Sequence, residues 1–145
     1  MTILYKIEPT LNLIYYAGFG LCTSGEFLDM ERTASKDPLR DTEMKIILDV
    51  RYAELDIDIE DLRTLVALNR KLIKDGRKPE MTAIISFNKY INILEETYHL
   101  LADGLSIKIN IFNQIKDALV WLSLSNEEEQ VEQISRSLLQ GRKKA

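Results

Sequence analysis

The run from residue 44 to residue 50, MKIILDV, constrains the fold more than any other stretch of this chain. It is almost continuously apolar, whereas a strand with one face in water alternates apolar and polar side chains. Such a run is typical of a parallel sheet, whose strands are covered on both faces. A stripe of aliphatic residues at helical spacing follows within 59–75, and Gly76 ends it. The two together predict a parallel strand followed by its right-handed crossover helix.

The rest of the chain continues this alternation. Strands are predicted at 80–86 and 105–112, and a hairpin of two strands at 3–8 and 11–18. Three more helices are predicted from their caps and stops: one from Thr23 or Ser24 to Asp37-Pro38, one from Asn88 to Gly104, and one over 113–122 capped by Asn113. The order predicts an α/β fold with a mostly parallel five-stranded sheet, an N-terminal hairpin and covering helices.

Composition and charge limit the class of protein. A chain of 145 residues, 46% hydrophobic and 29% charged, is ordinary for one globular domain. The net charge of −4 argues against nucleic acid as a partner, because a nucleic-acid-binding face is basic. No apolar run is long enough for a transmembrane helix, so the protein is not expected to be transmembrane. With no signal-peptide pattern and a single cysteine, Cys22, we expect a reduced, cytoplasmic setting.

Three segments carry a resemblance to a known family: IILDVRYAELDIDIEDLRTL (46–65), EMTAIIS (80–86) and LLADGLSIKINIFNQIKDALVWL (100–122). In their order and spacing the chain resembles a STAS domain, the fold of bacterial anti-sigma-factor antagonists, and more narrowly the SpoIIAA-like family. The resemblance covers residues 1–124 and implies a superhelix of strands and helices that opens with a hairpin. It also implies a binding or regulatory role, and relatives of similar shape bind lipids. Because no acid, base and nucleophile are spaced for catalysis, we expect a protein-interaction module that is not an enzyme.

One feature of the family is missing from this chain. Phosphoswitching antagonists carry a serine at the start of the helix after the third strand, and here the nearest equivalent is Asp58, or Ile57 if the register is shifted by one residue. No Ser or Thr lies between residues 43 and 61; Thr42 precedes the strand. We therefore expect no phosphorylation at this position. Either a permanent negative charge replaces the switch or the switch is absent.

The acidic join between the third strand and the next helix is the first candidate site. Its members are Glu54, Asp56, Asp58, Glu60 and Asp61. If the strand ends near Arg51, they lie beyond the carboxyl ends of the parallel strands, where ligands bind in open α/β sheets. They are interpreted as a helix cap, as an edge for a basic protein partner, or as a cation or catalytic site, and we favour the cap. Asp49, inside the apolar run, is expected to be partly buried beside a hydrogen-bond partner.

The second candidate is an apolar pocket between the sheet and the helices. The residues that could line it are Tyr15, Tyr16, Phe19, Phe27 and Met30. If they do, the protein is a binder or carrier of a lipid or another small apolar ligand, which is the alternative to the protein-binding module. The same residues are equally suited to a closed core, and we favour the core.

Four weaker patterns are interpreted as structural. His99 with Glu95 and Asp103 forms a helical stripe more typical of solvated pairs than of a metal site. Cys22 is expected to be a small buried residue, since no cysteine-enzyme motif surrounds it. Gly18, Gly20 and Gly25 match no phosphate-binding motif and predict a turn. The basic residues of 70–78 suit a helix C-terminus, with anionic lipid or head-to-tail pairing as alternatives. No cofactor, metal or catalytic set is predicted.

Residues 125–145 follow the resembling region. An amphipathic helix is predicted over 126–140, with an acidic first turn and a basic end. Its apolar stripe consists of Val131, Ile134, Leu138 and Leu139. A lone helix of this length is marginal in water, so the stripe is expected to dock on another surface. Docking on its own domain, packing across a homodimer and fraying stay open as alternatives.

Overall fold

The computed structural model describes residues 2–41, 43–76, 81–105 and 108–144. The strands are β1 (Thr2–Glu8), β2 (Leu13–Thr23), β3 (Lys45–Asp56), β4 (Met81–Ile85) and β5 (Lys108–Phe112). The helices are α1 (Ser24–Ser35), α2 (Ile59–Lys74), α3 (Tyr90–Leu101), α4 (Ile115–Trp121) and α5 (Glu128–Lys144). Single turns of 3₁₀ helix at Pro9–Leu11 and Ser125–Glu127 join β1 to β2 and precede α5. The predicted order of strands and helices is confirmed.

The sheet has five strands in chain order, β1-β2-β3-β4-β5. β1 pairs antiparallel with β2, and the other neighbours are parallel. Asn12 closes the hairpin in the left-handed region, with φ 51°, a conformation that asparagine tolerates better than most residues. The mixed sheet with a leading hairpin confirms the predicted fold class.

Two strands extend further than predicted. β2 was expected to end at Gly18 and β3 near Arg51, but they remain paired up to Thr23 and Asp56. A register shift between Ala17 and Phe19 absorbs one residue and lets the pairing continue. The expected turn at Gly18 and Gly20 is therefore wrong, because both glycines lie inside β2.

Helix starts follow the predicted caps in two of four cases. The Glu26 amide donates to Thr23 Oγ1 (3.3 Å) at α1, and Asp58 with Asp61 caps α2. The predicted caps Asn88 and Asn113 are wrong, since Lys89 and Gln114 stand at the two cap positions without a side-chain hydrogen bond. Asn88 Oδ1 accepts from the Tyr90 amide instead (2.9 Å), forming a turn just before α3.

Helices cover the sheet on both faces. We call the face under α4 and α5 the closed face. Its core combines strand residues with helix residues, among them Leu13, Tyr15, Ile47, Ile85, Leu119 and Val131. We call the face under α1, α2 and α3 the open face. It carries two separate clusters, one of α1 with β1 and β2 and one of α2 and α3 with β4 and β5.

α5 is part of the closed face. Val131, Ile134 and Leu138 are buried in the same core as the sheet, and Leu139 packs against it. The helix runs to Lys144, past the predicted end near 140. The apolar stripe of α5 therefore packs on the sheet of its own domain. The same side chains are not exposed for a homodimer contact. Docking on its own domain is thus the alternative that the structure shows.

Candidate functional site

An apolar cavity of about 300 Å³ lies under the helices of the open face. Strand residues form its floor, among them Ile46, Leu48, Val50 and Ile84. Helix residues form its walls and roof, among them Phe27, Met30, Leu65, Leu68, Leu72 and Leu94. The cavity is bordered by members of both open-face clusters, so it lies where the packing of α1 and the packing of α2 and α3 do not meet.

The structure divides the predicted pocket residues between the two faces. Tyr16, Phe27 and Met30 line the cavity. Tyr15 and Phe19 lie in the core of the closed face instead. Successive side chains of a strand point to opposite faces, so neighbouring Tyr15 and Tyr16 cannot share a pocket. Sequence reasoning missed the contribution of α2 and α3, although the apolar stripe of α2 had been recognised.

One polar cluster borders the cavity beside α1. The Tyr16 hydroxyl donates to Glu31 (2.7 Å), and Arg40 donates to Tyr16 (3.1 Å) and to Glu31 (3.4 Å). Burial, followed by the charge of Glu31, raises the pKa of Tyr16. The guanidinium of Arg40 balances the carboxylate of Glu31, so this cluster closes the α1 side of the cavity with a paired charge.

A second polar cluster borders the cavity between α2 and α3. The Asn69 amide donates to the Tyr98 hydroxyl, which links the two helices. Burial raises the pKa of Tyr98. One turn earlier on α3, Glu95 lines the cavity and accepts from His99 Nε2 (2.7 Å). Asn69, Glu95 and Tyr98 thus place hydrogen-bonding groups on an otherwise apolar wall.

The acidic join is built around a reciprocal cap. The Asp61 amide donates to Asp58 and the Asp58 amide donates to Asp61, both at 2.9 Å. The Asp58 amide and the Ser24 hydroxyl hold the pKa of Asp61 below its ordinary value. Asp56 is the last residue of β3 rather than a loop residue, and Glu60 pairs with Arg63 (3.2 Å). Within the described ranges, no three His, Cys, Asp or Glu side chains are grouped as a metal site requires.

Exposed apolar side chains lie next to this join. Ile59 and Tyr90 are exposed by 50% and 41%. The Tyr90 hydroxyl donates to the Ile57 carbonyl (3.1 Å), which attaches the start of α3 to the acidic join. The carboxyl edge of the sheet therefore presents acids beside exposed apolar side chains, a combination that the sequence analysis did not recognise.

Asp49 is buried on the closed face with the partners that its burial requires. Only 3% of it is exposed. It accepts from the Tyr15 hydroxyl (2.7 Å) and from two nitrogens of the Arg51 guanidinium (3.0 and 2.8 Å). Burial, followed by the charge of Asp49, raises the pKa of Tyr15, and the hydroxyl also hydrogen-bonds Ser135 of α5. This network holds β2, β3 and α5 together and faces away from the cavity.

The remaining sequence candidates take structural positions. Cys22 is buried, with its thiol 3.6 Å from the carbonyls of Phe19 and Gly20. His99 pairs with Glu95. Arg70 donates to the carbonyls of Leu101 and Asp103 at the end of α3. Arg77, Lys78 and Thr42 lie outside the described residues. In the part of the chain that the structure covers, no helix is long and apolar enough to cross a membrane.

Comparison with known proteins supports the fold through a solved structure. No family model matches the chain, and no curated protein matches its sequence. An uncharacterised protein of the DUF3478 family from Shewanella loihica PV-4, whose crystal structure has a SpoIIAA-like fold, superposes with a TM-score of 0.56. The two are 16% identical, and the match covers 83% of this chain and 93% of that one. This chain, a five-stranded mixed sheet covered on both faces by helices, therefore has the SpoIIAA-like fold.

Proposed function

We propose that this protein binds a small apolar molecule in the cavity of the open face and carries it without chemical change. The observation that supports this most is the cavity itself, about 300 Å³ bordered mainly by aliphatic and aromatic side chains. That volume is at the lower end of the range for small-molecule sites, which are concave, mostly apolar and fitted with a few polar groups.

The energetic cost of such a cavity supports the same conclusion. Each cubic ångström of residual cavity destabilises a core by roughly 24 cal/mol, so a sealed and empty space of this size would cost about 7 kcal/mol. A small domain has only about 5–15 kcal/mol of stability in total. The cavity is partly open, which lowers the cost, and a bound apolar molecule would remove most of the remainder. No catalytic step is part of this proposal.

A cavity-filling variant tests the proposal. Leu68 lies on α2 and lines the cavity, so Leu68→Trp would occupy the space. We expect the neutral fluorophore 1-N-phenylnaphthylamine to bind the unmodified protein and to bind Leu68→Trp at least tenfold more weakly. The matched control is Val120→Trp, on α4 at the other face and 62% exposed. Its affinity should equal that of the unmodified protein.

Three results bear on the carrier proposal. Equal affinity of both variants would contradict it, and so would an absence of binding to the unmodified protein. Native mass spectrometry of freshly purified protein gives independent support if a non-covalent adduct is present and is lost in Leu68→Trp. Melting temperatures of both variants establish that they are folded.

A second function is supported by the carboxyl edge of the sheet. Asp56 is three residues from exposed Ile59, and Glu54 lies opposite exposed Leu21 of β2, which suits a partner segment that is basic and carries an apolar anchor. A regulatory protein-binding role agrees with the SpoIIAA-like fold. If a partner is captured by the protein, Asp56→Lys with Ile59→Ser should abolish capture, whereas Glu96→Lys on α3 should leave it unchanged. Retention of the partner by the double variant would contradict this role.

A further inference from the structure

We infer that the ligand of the open-face cavity has a polar end that donates hydrogen bonds and carries no negative charge, as in a long-chain alcohol or amine. A fatty acid or an anionic phospholipid is the class that the cavity disfavours. The inference rests on the proposed carrier function, because it concerns the chemistry of the ligand in the same cavity.

The polar residues of the cavity wall are acidic or neutral. Six polar side chains border the cavity: Tyr16, Glu31, Asn69, Thr82, Glu95 and Tyr98. No lysine or arginine is among the described residues that line it. Arg40 lies behind this wall and donates to Glu31 and Tyr16. An anionic head group would therefore enter a low-dielectric space beside two carboxylates, with no cation on the wall to pair with it.

The hydrogen-bonding capacity of the α2–α3 cluster favours a donor. Asn69 donates through its amide nitrogen to Tyr98, so its carbonyl oxygen still accepts. Glu95 receives the His99 bond on Oε1, and among the described residues Oε2 has no donor. Both oxygens accept only. A hydroxyl or ammonium group placed here would satisfy them. A carboxylate could accept from the Tyr98 hydroxyl but would face two acceptor oxygens, one of them on the charged Glu95.

Glu95 is the residue that decides the preference. Glu31 is already balanced by Arg40 at 3.4 Å. The partner of Glu95 is the imidazole of His99, which donates one hydrogen bond to Oε1, and among the described residues no lysine or arginine pairs with Glu95. The carboxylate of Glu95 therefore gives the α2–α3 side of the cavity its negative potential.

Three ligands with the same ten-carbon chain test the inference on the unmodified protein. Decan-1-ol, decylamine and decanoate compete at pH 7.5 with bound 1-N-phenylnaphthylamine, the alcohol below its solubility limit and the other two below their critical micelle concentrations. We expect the alcohol and the amine to displace the probe at concentrations at least tenfold lower than decanoate. Decanoate that competes as well as either, or a bound probe that none of the three displaces, would overturn the inference.

The same experiment separates failure of the inference from failure of the carrier proposal. If 1-N-phenylnaphthylamine does not bind at all, the cavity is not a ligand site and both fail. If the probe binds and decanoate is the best competitor, the carrier function stands and only the head-group preference is wrong. Separate curves for the alcohol and the amine show whether a neutral donor suffices or a cation is preferred.

A pair of neighbouring substitutions assigns the preference to the cavity wall. Glu95→Gln keeps the shape of the side chain and removes its charge. It should therefore lower the affinity for decylamine by about tenfold and reduce the ratio of decylamine affinity to decanoate affinity. Glu96→Gln removes the same charge from an exposed position one residue away, and should change decylamine binding by less than twofold. Equal effects of the two variants would show that surface charge produces the preference, which would overturn the inference.

Discussion

The two faces of the sheet are built from the same strands but are packed differently. On the closed face, Tyr15, Ile47, Leu119 and Val131 have no exposed surface. On the open face, Ile14 and Ala34 in the α1 cluster are also fully buried, but the most deeply buried residues of α2 and α3 retain 5–8% exposure, and the cavity lies beneath them. The closed face therefore supplies the close packing on which a stable fold depends, and the open face can leave space for a ligand.

This difference also separates the two sets of polar residues. The Asp49, Arg51 and Tyr15 network is enclosed by the closed face, where its bonds are mutually satisfied. The polar groups of the open face lie at the cavity wall, where a ligand can reach them. Stability thus depends mainly on the closed face and ligand binding on the open face. We expect substitutions on the closed face to change the free energy of unfolding most, and substitutions on the open face to change ligand affinity most.

Removal of α5 is expected to have the largest effect. A chain that ends after Ser125 lacks Val131, Ile134 and Leu138 and exposes the closed-face core that they cover. We expect the cooperative thermal transition seen by circular dichroism to be lost. A truncated chain with an unchanged melting temperature would show that the closed face does not depend on α5.

A matched pair of leucine substitutions measures the two faces directly. Leu119→Ala on the closed face should lower the free energy of unfolding, measured by urea titration, by about 2–5 kcal/mol, because it creates a cavity in a filled core. Leu68→Ala on the open face should cost less than about 2 kcal/mol, since it only enlarges an existing cavity. Equal losses in the free energy of unfolding would show that the two faces are packed alike.

The sequence could predict the order of the strands and helices but not the difference between the faces. The apolar run 44–50 and the helix after it were enough to identify the parallel sheet. The extension of β3 was missed because residues 51–56 alternate between half-buried and exposed, a pattern unlike that of the run before them.

The cavity could not be predicted from residue type. Tyr15 and Tyr16 are identical side chains in adjacent positions, and only strand alternation assigns one to the core and the other to the cavity wall. Whether a covered face is filled depends on how far the helices lie from the sheet, which many contacts between distant residues decide. The capping box, in contrast, is a local pattern of residues three apart, and it was predicted correctly.

The cap of α2 gives a smaller effect that belongs to the open face. Asp58→Ala removes the acceptor of the Asp61 amide and should cost about 0.5–2 kcal/mol. Because α2 forms part of the cavity roof, binding of 1-N-phenylnaphthylamine should weaken as well. Glu60→Ala is the control, since Glu60 lies in the same turn and has an exposed ion pair with Arg63 but no capping bond, and it should change both measurements less than Asp58→Ala does. An unchanged urea midpoint for Asp58→Ala would contradict the capping role.

The smallest expected effect is a loss of stability at low pH that arises at the start of α2. The pKa of Asp61 is lowered in the folded chain by the Asp58 amide and the Ser24 hydroxyl. A carboxyl group with a lowered folded pKa stabilises the folded state above its unfolded pKa, whose ordinary value is 3.8, and loses that contribution as the pH falls through the folded value. The difference in urea midpoint between the unmodified protein and Asp61→Ala should therefore be constant from pH 7 to pH 5 and shrink below pH 4. A difference that persists unchanged at pH 3 would show that Asp61 stabilises α2 through packing rather than through its charged hydrogen bonds.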